Sequence, residues 1–484
     1  MAAIMQLGAL LHNVPIVSCA ANLSAEIESV CFDSRMVNEK SAYVASMRPN
    51  ADGHDYIAAA IENRAAVIIA ERPVADYPHI VVENGCLALA QTAANLFGNP
   101  AEEMTVIGIT GTKGKTTTAY MLKHVLEKAT GAKVGLVGTV CNMAGDEILE
   151  KAKNTTPEAP ELQRILREMA DKGCTHVVME VSSHALAFDR LTNIRFRVGV
   201  FNNLSQDHLD YHKTMENYLA AKCKLFDISD FGAVNIDDPA SSEIMAHTWA
   251  EKTTFGTSDR ADLKAFDVEL LASDGVRFTF DGVPVFVPIP GMFTVYNAMS
   301  ALSAAKLVGV NLSAAAASLA TMYGVPGRIE TVRSEAPFKV IVDYAHSPDS
   351  VEKVLEAVYE FTKGDVISVF GCGGNRDRTK RPKMAKAASL RSAYVIITTD
   401  NPRFEQPEEI IAEIVPGIEG TGCPYEVIVD RAEAIHRAID LAKPGDTVLL
   451  MGKGHENYQE ICGVRHHFDD REIAAAYLAD KGAK

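Results

Sequence analysis

The chain has 484 residues, with 47 Lys and Arg against 63 Asp and Glu and a formal charge of −16 at pH 7. Such a length exceeds one hydrophobic core and predicts about three domains. The negative field disfavours nucleic acid and anionic membranes as partners, so an anionic substrate has to be met by local clusters of Lys and Arg.

Nine cysteines are scattered without a Cys-x-x-Cys pair, which fits reduced thiols rather than a disulfide framework. Met1-Ala2-Ala3-Ile4-Met5 carries no basic segment ahead of an apolar one. No apolar run approaches the ~18 residues of a membrane span. A cytoplasmic protein without membrane insertion is expected.

In chain order, the turn at Phe97-Gly98-Asn99-Pro100 closes a first stretch, 1–100. A second, 101–330, ends at Gly324-Val325-Pro326-Gly327-Arg328, and a third, 331–484, opens on the apolar run 338–342. Residues 106–110, 176–181, 198–202 and 233–236 read as buried strands of the second stretch. Residues 340–343, 366–370, 394–398 and 447–451 do the same in the third. Each runs into a polar or glycine-bearing loop, and helical patterns follow many of them. That alternation predicts an α/β fold of parallel sheets, with sites at the C-terminal ends of strands. The alanine-rich segments 297–307 and 313–322 read as packed helices.

The strongest chemical signal is Gly108-Ile109-Thr110-Gly111-Thr112-Lys113-Gly114-Lys115-Thr116, with a strand before it and a helical pattern after it. Glycines let backbone N–H groups turn toward phosphate, Lys115 supplies a cation, and the Thr116 hydroxyl can ligate Mg²⁺. Strict spacing would place glycine at Ile109, so this is a variant phosphate loop. Glu180 ends the next strand, where an acid commonly faces nucleotide-bound Mg²⁺. Asp207, His208, Asp210 and His212 gather after a further strand. Alone, they fit a zinc or iron centre or a solvated loop; the phosphate loop favours phosphoryl transfer. Gly371-Cys372-Gly373-Gly374-Asn375-Arg376-Asp377 misses the spacing of a dinucleotide fingerprint. The adjacent Arg376, Arg378, Lys380 and Arg381 fit anion contact, or else a solvated basic face.

Taken together and in order, several motifs resemble those of the Mur ligase family. They are the phosphate loop, Thr155-Thr156-Pro157, Met179-Glu180-Val181-Ser182-Ser183-His184, the segment 203–212 and Ala220-Ala221-Lys222. Tyr296-Asn297-Ala298, Gly327-Arg328, Asp343-Tyr344-Ala345-His346 and Gly452-Lys453-Gly454-His455-Glu456 continue the series, so the likeness spans nearly the whole chain. The resemblance implies an N-terminal α/β UDP-recognition domain, a central P-loop ATPase-like parallel sheet and a C-terminal Rossmann-like domain that binds an amino acid. ATP would be held by Gly111, Thr112, Lys113, Gly114, Lys115, Thr116, Thr117, Asn297, Arg328, Asp343 and His346. Two Mg²⁺ ions would be held by Thr116, Glu180, His208 and a Lys222 carbamylated by CO₂. Without the motif, Lys222 would read as a helix-surface lysine. Lys115, Glu180, His208, Lys222 and Arg328 are the implied catalytic set.

Further along the same resemblance, Ser34, Thr155, Thr156, Ser183 and Arg190 would contact a UDP-N-acetylmuramoyl-dipeptide. Asp33-Ser34-Arg35 and Asp52-Gly53-His54 match that domain's pattern, while the loop around Arg48 lacks its usual glycine and Phe188 stands where a polar residue is common. Arg376, Asp400, Asn401, Pro402, Arg403, Gly452 and Glu456 would bind the amino acid. A guanidinium at Arg403 suits the distal carboxylate of meso-diaminopimelate, which lysine lacks; taken alone, Arg403 would read as a surface residue paired with Glu405. The expected activity is an ATP-dependent amide ligase of peptidoglycan precursor synthesis, acting as a monomer. A lysine-adding or folylpolyglutamate-type ligase is the near alternative, and a non-catalytic ATP-binding regulatory module the distant one.

Overall fold

A computed structural model of the chain describes residues 4–48, 51–247, 250–271, 274–322 and 324–482. Pro49 and Asn50 and the side chain of Asp210 therefore lie outside the described residues. The chain divides into two compact units. One holds residues 1–266, 280–283 and 296–318, and the other 267–279, 284–295 and 319–484.

The first unit opens with a five-stranded sheet in the order Ile16–Ala20, His79–Val82, Val67–Ala70, Ser41–Ala45, Ser29–Cys31. The first pair is antiparallel and the rest parallel. Helix Gly85–Leu96 starts from Asn84, whose side chain accepts from the Leu87 N–H, a cap that satisfies a donor the helix cannot. Its Ala88, Leu89 and Leu96 pack on Val44, Ile69 and Ile80.

Next in the same unit come six parallel strands, Val134–Val137, His176–Glu180, Thr105–Thr110, Phe196–Phe201, Ser229–Asn235 and Glu251–Gly256, in that spatial order. Helices cover both faces, so the strands read as continuous apolar runs rather than alternating ones. Helix Ala159–Asp171 shows the complementary pattern, burying Leu162, Ile165, Leu166 and Met169 along one stripe. The register pairs Ile109 with Glu180 and Thr110 with Phe201. Three strand ends thus open side by side where the phosphate loop begins.

The second unit carries a six-stranded sheet in the order Glu330–Thr331, Lys339–Asp343, Thr447–Met451, Val366–Phe370, Tyr394–Ile397, Tyr425–Val427. Only its first pair is antiparallel. Helices Pro348–Tyr359, Lys380–Ser389 and Pro407–Ile414 bury Leu355, Met384 and Ile411 on one face. Arg431–Leu441 and Asp470–Gly482 bury Ile435 and Ala474 on the other. This is the doubly wound arrangement expected of alternating strand and helix patterns.

All eight expected strands are present, within a few residues at their ends. The helix expected from residue 297 instead starts at Met292, because Gly291 at φ +93° supplies the break just ahead of it. Asn297 consequently sits in the second turn of the helix.

Candidate active site

Strand Thr105–Thr110 feeds a tight loop into helix Lys115–Thr130. Gly114 caps that helix at φ +79°, and a Cβ there would stand 2.3 Å from Asn297 Oδ1. Only glycine meets both conditions. Lys115 Nζ donates to the carbonyls of Gly111 (2.9 Å) and Thr112 (3.0 Å), which brings the ammonium over the loop. Thr117 follows in the first helical turn. The loop is strapped from the end of strand Phe196–Phe201: Thr112 N–H donates to the Asn203 carbonyl and Lys113 N–H to Asn203 Oδ1, both at 2.9 Å. Behind it, Asn202 Nδ2 donates to Thr118 Oγ1, which donates to Asn297 Oδ1.

Glu180 is buried, with 1% of its surface exposed. Its carboxylate accepts from Thr116 Oγ1 (2.9 Å), Thr139 N–H (2.8 Å) and Thr139 Oγ1 (3.0 Å). All three donors are neutral groups of the protein. Gly138 admits this carboxylate, because a Cβ there would lie 2.4 Å from Glu180 Oε1. Lys222 is equally buried on helix Met215–Asp227, with Nζ 4.4 Å from the centre of the Tyr218 ring. Burial, reinforced by the positive charge of Lys115, pushes its ammonium pKa well down. His208, in left-handed backbone at φ +53°, sets its ring edge-on to His184 at 5.0 Å. His212 Nε2 meets Ser183 Oγ at 2.9 Å.

Thr156, buried, donates from Oγ1 to the Glu180 carbonyl and accepts from Ser182 N–H. Thr155 Oγ1 touches Thr139 Oγ1 at 3.1 Å. Arg190 donates to the Thr156 carbonyl (3.0 Å) and pairs with Glu158 (2.5 Å). Arg48 forks onto the same Glu158 with two bonds of 3.1 Å, its guanidinium 5.2 Å from the Phe32 ring and 5.8 Å from Phe188. The two departures noted in sequence, Arg48 and Phe188, therefore pack against each other. Ser34 is buried beside the closed Asp33–Arg35 fork and accepts at its carbonyl from Asn63.

In the second unit, a cavity of about 330 Å³ opens at the C-terminal strand ends. Arg376, Asp400, Asn401, Arg403, Gly452 and Glu456 all line it. Asn401 Nδ2 donates to Glu456 Oε2 (2.8 Å), and Asn401 Oδ1 accepts from Lys453 Nζ and Glu460 N–H. Arg403 NH1 donates to the Gly374 carbonyl (2.8 Å), and Nε stands 3.7 Å from Glu460. Pro402 presses its carbonyl against Gly374, where a Cβ would come within 1.9 Å. Asp343 is buried and accepts from the N–H groups of Ile329 and Ala345. Burial raises its pKa, and Arg328 opposes the rise. Arg328 lies 5.7 Å from the Tyr344 ring, and His346 Nδ1 donates to the Tyr344 carbonyl.

Glu405 pairs with the buried Arg381 rather than with Arg403, since the Arg403 side chain turns toward Gly374. Of the basic cluster, Arg378 and Arg381 are spent on Glu413 and Glu405, whereas Arg376 and Lys380 face the cavity. Sequence reasoning passed over Thr139, although it follows the end of strand Val134–Val137, the position that flagged Glu180. It also passed over the Arg431–Asp470 ion pair.

The donor set around Glu180 is made of hard oxygens: a carboxylate and the hydroxyls of Thr116 and Thr139. That chemistry fits Mg²⁺ shared with phosphates, and no cluster of three His, Cys, Asp or Glu suited to a metal occurs among the described residues. The arrangement defines an enzyme that handles a nucleotide phosphate on a parallel sheet. A family model described as the Mur ligase middle domain matches residues 109–305, and one described as the Mur ligase, glutamate ligase domain matches 327–454. The UDP-N-acetylmuramoyl-L-alanyl-D-glutamate–2,6-diaminopimelate ligase 1 of Clostridium acetobutylicum is 42% identical, over 98% of this chain and 100% of the relative. The ligase of the same description from Bacillus cereus is 43% identical, over 96% of each. A solved structure of a ligase so described superposes with a TM-score of 0.72 at 31% identity, covering 99% of this chain and 100% of the other. A folylpolyglutamate synthase of Mycobacterium tuberculosis, at 16% identity and TM-score 0.60, shares the fold. The chain belongs to the Mur ligase family.

Proposed function

We propose that this protein joins meso-diaminopimelate to the γ-carboxylate of D-glutamate in UDP-N-acetylmuramoyl-L-Ala-D-Glu, with ATP converted to ADP and phosphate. The observation that carries this reading is the cavity in which Arg376 and Arg403 both stand with the Glu456 carboxylate. Two guanidiniums and carboxylates match an amino acid bearing a carboxylate and an ammonium at each end. Lysine would leave one guanidinium unpaired.

The glutamyl carboxylate attacks the γ-phosphorus of ATP, releasing ADP and forming an acyl phosphate. The amine then attacks the acyl carbon, the C–N bond forms, and phosphate departs. Lys115 exchanges its loop carbonyls for phosphate oxygens and offsets their charge. Thr116 and Glu180 would hold a Mg²⁺ ion, with His208 assigned to a second. Mg²⁺, when bound, neutralises the charge that develops on the transferring group. Lys222, whose ammonium pKa burial lowers, is suited to capture CO₂ as a carbamate and so become an anionic oxygen donor. Arg328, Asp343 and His346 are assigned to the nucleotide. Ser34, Thr155, Thr156, Ser183 and Arg190 are assigned to the UDP-muramoyl-dipeptide.

Among the described residues no helix is long and apolar enough to cross a membrane. The reading places the enzyme in the cytoplasm as a monomer. It is tested by phosphate release and product mass with ATP, Mg²⁺ and the UDP-muramoyl-dipeptide, comparing meso-diaminopimelate, L-lysine and no amino acid. Turnover with lysine alone would overturn the assigned amine. ATP binding without amino-acid-dependent turnover would overturn the ligase reading.

A further inference from the structure

Two loops, 371–377 and 400–405, make facing walls of the second-unit cavity, and each delivers one guanidinium to it. The walls are zipped together at several points. Gly374 N–H donates to the Asn401 carbonyl (2.9 Å), Phe404 N–H to Asn375 Oδ1 (3.0 Å), and Arg403 NH1 back to the Gly374 carbonyl (2.8 Å).

Beneath this zipper lies Arg381, with no exposed surface, on helix Lys380–Ser389. Its guanidinium forks onto Glu405 with bonds of 3.0 and 2.9 Å and also donates to Glu413 (2.8 Å) on helix Pro407–Ile414. Glu405 in turn accepts from the Asn375 N–H of the opposite loop. The Arg381–Glu405 pair therefore touches both walls while taking no place among the residues that line the cavity. A bidentate pair of two planar groups fixes angle as well as distance, so it fixes how far apart the loops can stand.

We propose that Arg381 and Glu405 are a positioning pair that sets the spacing of Arg376 and Arg403, making the cavity select an amino acid with a carboxylate at each end. The proposal rests on the reading of this cavity as the amine site. It separates two tasks: Arg376 and Arg403 make the contacts, and the pair beneath them decides which length of substrate can make both contacts at once.

The test is steady-state kinetics of the full chain with Glu405→Asp, which keeps the charge and shortens the reach, and Gly374→Ala, whose Cβ would meet the Pro402 carbonyl at 1.9 Å and push the walls apart without touching a charge. A displacement of about 1 Å costs a positioned site up to about 100-fold. Both variants are expected to raise KM for meso-diaminopimelate by about 10- to 100-fold and to narrow its preference over L-lysine, with KM for ATP unchanged. A KM for diaminopimelate that stays at the wild-type value, or a parallel rise in every KM, would overturn the pair's role. A wild-type protein that prefers lysine overturns the selection together with the reading beneath it. A diaminopimelate-specific wild type whose variants keep their selectivity overturns the pair alone.

Discussion

The Thr116 hydroxyl donates to the Glu180 carboxylate across 2.9 Å, joining the first turn of the phosphate-loop helix to the end of the neighbouring strand. Parallel register sets this meeting, since Ile109 and Glu180 are paired across the sheet. Replacing Glu180 by Gln keeps the size of the side chain and removes the charge that would hold the cation. Loss of one such charge-stabilising group lowers kcat by about 10²–10³-fold. Turnover measured across a Mg²⁺ titration checks this, and wild-type turnover in the variant would refute the assignment.

Lys222 calls for a different measurement. Burial, and then the charge of Lys115, lower the Lys222 pKa, which favours the neutral, nucleophilic amine that reacts with CO₂. Carbon-13 bicarbonate should therefore give a carbamate resonance in the wild-type protein and none in Lys222→Arg. Depleting CO₂ should reduce turnover, and bicarbonate should restore it.

At Arg403, held to Gly374 and beside Glu460, truncation to Ala removes the guanidinium proposed to pair with a distal carboxylate. Leaving a bound charge without its hydrogen-bonded partner costs about 2–5 kcal/mol. The kcat/KM for meso-diaminopimelate should fall by the corresponding factor, about 30-fold or more, with no comparable fall for L-lysine. Equal losses with both amines would contradict the assignment.

Arg431 and Asp470 form an ion pair with no exposed side-chain surface. Arg431 also donates to the carbonyls of Thr399 and Met451, and so ties the ends of two strands to helix Asp470–Gly482. Asp470→Ala leaves that guanidinium buried and unpaired, which costs about 3–5 kcal/mol. Urea denaturation of the second unit's transition measures it. Replacing both residues with apolar ones of similar volume should recover most of the loss.

The bond from Arg381, and then the Asn375 N–H, hold the Glu405 carboxyl down at about 2, against an ordinary 4.5. With the folded pKa depressed, its stabilisation is complete above about pH 4.5 and is lost as pH falls toward 2. The stability difference between wild type and Glu405→Gln should therefore shrink steadily through that acid window. A difference independent of pH would count against the pair.

Legibility in the sequence followed the range of the interaction. The phosphate loop was readable because its chemistry needs consecutive residues, and the buried strands because both sheet faces demand apolar runs. Arg48 and Glu158 were not, since 110 positions separate them and only the folded chain brings them together. Arg403 and Glu405 show the limit of nearness in sequence: two positions apart, they take different partners, Arg403 the Gly374 carbonyl and Glu405 the Arg381 guanidinium. Glu180 gained a partner, Thr139, that no motif marked, because one backbone N–H and one hydroxyl from an ordinary loop suffice.

The two carbonyl contacts of Lys115 carry a consequence for ligand discrimination. The loop acts as its own internal competitor: any nucleotide entering must first persuade that ammonium to exchange partners. Each surrendered bond is worth about 0.5–1.5 kcal/mol, a debt that a chain of phosphates settles and that adenosine has nothing to settle with. Affinity should therefore climb with phosphate count rather than with the fit of the base, and adenine mimics without an anionic tail should be poor inhibitors of this site.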